Sequence, residues 1–216
     1  MHKMLFLVLL AVLAAAALVV NASELLLDLD LVERLKGHRD APVNSSSAVI
    51  PFPYPLFSQC DPAWGADLMD TKTICQVGCL MSSTAMAIAG SKIAIPPNAV
   101  SSSSGTLNTW LKANGGYDGS NDLIESVVQK IDPARIVWPS DAMHTTNDLP
   151  YSTIKSYLSQ GRVVVANVNG GHHFVLTVGF SDDGDTLTVN DPGYEKSTYS
   201  YSKDVVGWRI YDMVRE

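Results

Sequence analysis

The sequence predicts an α+β domain, with helices first and an antiparallel sheet after them, and three observations predict it. Segments with a period near 3.6 lie between Cys79 and Gln160. Beyond Gly161 the period changes to 2 or to continuous apolar runs, separated by short turn-forming stretches. Helices thus precede strands instead of alternating with them, which is the order of an α+β domain.

The elements follow in order. "MHKMLFLVLLAVLAAAALVVNAS" has a basic start at Lys3, an apolar run from Met4 to Val20 and small residues near Ala22, the layout of a secretory signal peptide. The run is slightly shorter than the ~20 residues that span a bilayer, so cleavage after Ala22 is expected, with an uncleaved anchor as the alternative. Residues 23–49 read as a pro-segment or linker. "ELLLDLDLVERLKGHRD" has helix-compatible spacing with acids early and bases late, and "APVNSSSAVIPFPYP" is extended and rich in Pro and Ser. Residues 50–216 then form one domain, because the 216-residue chain can bury one sizeable core and is short for two. Within it, Cys79 to Ala89 is apolar or small at nearly every position and reads as a buried helix capped by Gly90. "TLNTWLKAN" reads as a helix ending at Gly115, "NDLIESVVQKI" as one with Asn121 as its N-cap, and "YSTIKSYLSQ" as one ending at Gly161. "RVVVANV", "HHFVLTVGF", "DTLTVN" and "GWRIYDMV" read as four strands.

Composition narrows the function. The net charge is −7, and loss of residues 1–22 removes Lys3 and no acid, making it −8. Neither nucleic acid nor an anionic membrane surface is an expected partner of such a chain. Sequons at Asn21 and Asn44 fit a eukaryotic secretory route to the cell exterior or to an endomembrane lumen such as a vacuole or lysosome.

Three cysteines in a secreted chain leave one over. The expected pair is Cys60 with Cys75, closing a loop of about 16 residues worth on the order of 3 kcal/mol in the chain-entropy model. Cys79 is then free. At the start of a helix its thiol would meet unpaired N–H groups and the positive end of the dipole, where cysteine pKa values can fall from about 8.5 toward roughly 4–7. The same N–H groups can hold an oxyanion. A buried structural cysteine is the bland alternative. A zinc site of Cys60, Cys75, Cys79 and a histidine is another, opposed by Gly78 between the last two cysteines.

A reactive cysteine needs a base. Of five histidines, His2 and His38 precede the domain and His144 lies in a polar loop, leaving His172 and His173 at the start of a strand, on opposite faces. Strand alternation does not choose between them. The following hairpin would bring residues near Asn190 and Asp191 alongside that strand, where Asp191 could orient the imidazole or simply open an Asp-Pro turn. The acids of "SDDGDT" suit a hairpin tip better than a calcium loop.

Together, "YPLFSQCDPAWG", "TICQVGCLMSSTAMAI", "GGHHFVLTVGF" and "VNDPG" resemble the papain-like cysteine peptidases of the branch that includes bacteriocin-processing peptidases. The resemblance covers residues 54–193. It implies a helix carrying the nucleophile packed against an antiparallel sheet, with Cys79 as nucleophile, His173 as base because it precedes the aromatic residue, Asp191 as orienter and Gln59 as oxyanion donor. A peptide or protein substrate follows from such a site, and a monomer without cofactor or metal is expected. A silent binding module and an acyl or amide transferase are the alternatives on the same fold. Gln59 lies farther before the cysteine than in papain, so its role requires the intervening loop to fold back.

Overall fold

The computed structural model describes residues 48–182 and 184–215. The expected signal peptide, and all of the 23–49 segment except its last two residues, lie outside the described residues. Among the described residues no helix is long and apolar enough to cross a membrane.

Two helices meet at Gly78. The short α1 (Ile74–Val77) starts at Thr73, whose side chain accepts from the Gln76 N–H while the Gln76 side chain accepts from the Thr73 N–H, a capping box. It ends at Gly78, and α2 (Cys79–Gly90) begins with the next residue. Cys79 thus follows a helical turn. Met81 through Ile88 are all buried, as their continuous small and apolar character requires. Gly90 belongs to the helix and is not its cap, which is Ser91. Its lack of a side chain serves packing, because a Cβ there would come within 2.3 Å of the Tyr54 ring. Helix α3 (Ser104–Ala113) opens with a second capping box, from Ser103 and Thr106.

The helix expected from Asn121 is different. Glu125–Ile131 forms a 3-10 helix, and Asn121 adopts a left-handed φ of 71° before it. The Asn121 Oδ1 accepts from the N–H groups of Asp70, Thr71 and Lys72. Its side chain therefore ties down a remote loop instead of capping its own helix, a use of Asn that αL geometry allows. Helix α4 (Tyr151–Ser159) forms as expected.

The main sheet contains all four expected strands and several short ones that lack a period. Two-residue strands β1 (Ala94–Ile95) and β2 (Val100–Ser101) pair with each other. In the main sheet β3 (Ile136–Val137), β4 (Met143–His144), β5 (Val163–Val168), β6 (His173–Phe180), β7 (Thr186–Asn190), β8 (Thr198–Ser200) and β9 (Gly207–Met213) are antiparallel, in the order β3-β9-β5-β6-β7-β8 with β4 also on β9. The short helix α5 (Tyr201–Asp204) joins β8 to β9. Both sheet faces are covered. Val163, Val165, Leu176 and Val178 pack with Met81, Ala85 and Ile88 of α2. Val164, Ala166, Val175 and Val189 pack on the other side with Ile154 and Leu158 of α4. Burial on both faces explains why β5 reads as an unbroken apolar run. The result is an α+β papain-like fold, with α2 laid against β5 and β6.

Candidate active site

Three elements converge at one end of the sheet. Cys79 is the first residue of α2, His173 the first of β6, and Asp191 directly follows β7. Asn190 stands opposite Leu176 in the β6–β7 pairing, so the Asp191 side chain reaches back along β6 to His173. Its Oδ1 accepts from His173 Nε2 at 2.7 Å. The Cys79 side chain also interacts with this imidazole and favours its protonated form. His173 is buried, whereas His172 is exposed on the cleft wall, so the ambiguity between them resolves geometrically in favour of His173 as the partner of Asp191.

The electrostatics follow from these contacts. Burial alone would lower the His173 pKa, but the hydrogen bonds to Asp191 and Cys79 and the negative charge beside the ring outweigh it and raise the value to about 9. Asp191 is also buried, which by itself would raise its pKa. Bonds from His173, the Gly193 N–H, the Tyr199 hydroxyl and the Tyr194 N–H instead hold it below the usual carboxyl value. The Tyr194 ring stands edge-on to the imidazole at 4.9 Å between centroids.

Gln59 reaches the same place because its loop folds back. Cys60 and Cys75 form the expected disulfide, and Cys79 is the free cysteine among the described residues. The Gln59 N–H donates to the Pro192 carbonyl at 2.8 Å, next to Asp191, and its Nε2 donates to the Cys75 carbonyl at 2.8 Å. One amide proton is thereby engaged, and the buried Gln59 Oε1 has no hydrogen-bond partner among the described residues. With Cys60 and Cys75 bonded to each other, the zinc alternative loses two of its ligands. Of the described hairpin acids, Asp182 is bonded by Lys155 and Asp185 by Ser200 and Ser202.

Gln59, Cys79, His173, Gly193 and Tyr194 all line one cleft of about 460 Å³, together with Met69, Met81, Leu123 and Asp122. A model of the Peptidase_C39 like family matches residues 53–212. The chain belongs to the Peptidase_C39-like family. That membership brings a cysteine peptidase-like character and a peptide or protein substrate, and the match spans the three converging elements and the Gln59 loop. No curated protein and no solved structure matches the chain significantly.

Gly193, Tyr194 and Tyr199 surround Asp191 and His173, and the sequence reasoning missed their part in the site. Gly193 carried a weak signal within "VNDPG". Tyr199 carried none, because its contact with Asp191 depends on how β8 pairs with β7.

Proposed function

We propose that this protein is a cysteine hydrolase, secreted or held in an endomembrane lumen, that cleaves a peptide or amide bond through Cys79, His173 and Asp191. The observation that supports it most is His173, held between the Asp191 carboxylate and the Cys79 thiol. The disulfide fits an oxidising compartment.

In this reading Cys79 gives its proton to His173 Nδ1, and its sulfur attacks the substrate carbonyl carbon. The developing oxyanion is met by the Cys79 N–H at the start of α2 and by the free amide proton of Gln59. Collapse of the tetrahedral adduct breaks the C–N bond, the leaving amine takes the proton from His173, and a thioester remains on Cys79. Water then attacks the thioester with His173 as base, releasing the acid and restoring the thiol. Asp191 holds the Nε2–H tautomer and offsets the imidazolium charge. Resolution by an amine in place of water would make the same site an acyl transferase.

A silent binding module is the second reading, and the engaged Gln59 amide favours it. A thiol-directed active-site probe separates the two. Wild type should be labelled and Cys79→Ala should not, and His173→Ala should lose about a hundredfold or more in labelling rate, the usual scale of a positioned base. Undiminished labelling of His173→Ala would remove the histidine from the mechanism. Cleavage profiling of labelled-competent protein on a peptide library would then define the substrate.

A further inference from the structure

We infer that Tyr199 is a positioning residue of this site, its hydroxyl holding the second oxygen of the Asp191 carboxylate and so keeping that group charged and aimed at His173 in acidic media. The inference rests on the reading of the site given above.

The Asp191 side chain is fully withdrawn from solvent. Its Oδ1 accepts from His173 Nε2 at 2.7 Å, from the Gly193 N–H at 2.9 Å and from the Tyr194 N–H at 3.0 Å. The donor to Oδ2 is the Tyr199 hydroxyl at 2.8 Å. A buried carboxylate oxygen without a donor favours the neutral acid, because burial disfavours charge and water cannot replace the lost bond. The hydroxyl is also directed. Its acceptor is Asp191 Oδ2, while the Asn169 side chain acts on the Tyr199 oxygen in the sense that lowers its pKa. Tyr199 is itself buried, at 2 % exposure, and its place is set by the pairing of β8 with β7 opposite Leu187.

The surrounding charges are consistent with this role. His173 faces Asp191 from β6, with Cys79 also acting on the imidazole and the Tyr194 ring in a T-shaped contact with it. The Lys196 ammonium stands over the Tyr199 ring at 3.7 Å from its centroid and pairs with the Asp204 carboxylate at 3.9 Å, whose charge also acts on Tyr199. Exposed His172 lies beside His173 on the cleft wall. Of the cationic groups around it, the Asp191 carboxylate bonds to His173 alone, which makes neutral donors such as Tyr199 important to its ionisation. Burial and Asp191 both push the Tyr199 pKa upward, so the hydroxyl keeps its proton through the working range.

Tyr199→Phe removes this hydroxyl and keeps the ring. In the full chain, the pH profile of kcat/KM, or of probe alkylation at Cys79, should have its acid limb moved upward by about one pH unit, the scale of one lost hydrogen bond to a charged group. The alkaline limb and KM should change little. In an Asp191→Asn background the same substitution should leave the acid limb in place. A uniform loss of rate across pH would mean a structural role only and would overturn the inference, as would an acid-limb shift that persists without the Asp191 carboxylate. Asn169→Gly, at an exposed position already at positive φ, provides a second variant and should move the limb the same way by less. If wild type never reacts with the probe, the peptidase reading fails. NMR titration of Asp191 in wild type and Tyr199→Phe then decides the Tyr199 role independently, an upward shift supporting it and an unchanged value overturning it.

Discussion

Gly193 shows how tightly the imidazole of His173 is enclosed. A Cβ at this position would stand 2.8 Å from His173 Cε1 and 3.2 Å from Gln59 Oε1. The ring cannot retreat without giving up its bond to Asp191, and Gln59 is anchored at Pro192 and Cys75. Gly193→Ala should therefore displace the imidazole and slow probe labelling by about tenfold or more, since small misplacements of reacting groups carry large kinetic costs. Labelling at the wild-type rate would show that the loop accommodates a side chain and that the close approach is unimportant. The Asp-Pro-Gly run was legible as a turn. That the turn closes over the histidine was not, because the contact lies across two strands.

At the scale of elements, the Cys60–Cys75 loop matters most. It holds Gln59 in the cleft that Cys79 also lines although twenty residues separate them, and it joins α1 to the chain segment that precedes it. Replacing both cysteines by serine should cost about 3 kcal/mol of stability, measured by chemical denaturation. It should also lower kcat more than KM rises, because Gln59 would serve the oxyanion and not the ground state. Gln59→Ala is the comparison. A double serine variant with full kcat would show that the backbone bond to Pro192 positions Gln59 without the disulfide. The long elements were readable because helix α2 and strands β5, β6, β7 and β9 carry their own periodicity. Asn121 was misread as a cap because Asn serves both caps and αL turns, and only the position of the 70–72 loop distinguishes them.

For the whole molecule, the site couples stability to pH. The His173 pKa is raised from 6.5 to about 9, so its contribution is fully present below 6.5 and is lost as pH rises through about 9. The Asp191 pKa is lowered from 3.8, so its contribution is present above that value and is lost as pH falls through the folded pKa. Both contributions are present between about pH 4 and 6.5. The difference in thermal midpoint between wild type and His173→Gln should accordingly narrow between pH 6.5 and 9. A gap as wide at pH 9 as at pH 6 would contradict the coupling of His173 to Asp191 and Cys79.

The sequence by itself determined that a lone cysteine opens a buried helix, that a histidine opens a core strand and that an aspartate ends the next one. Each of these is a local pattern, set by periodicity and by the residues that start and stop elements. Only the tertiary structure decided that His173 and not His172 meets Asp191, that Gln59 lines the same cleft as the cysteine, and that Tyr199 and Gly193 complete the surroundings. Those are contacts between segments far apart in the chain, and their geometry arises from strand register and helix-on-sheet packing, which no local pattern encodes.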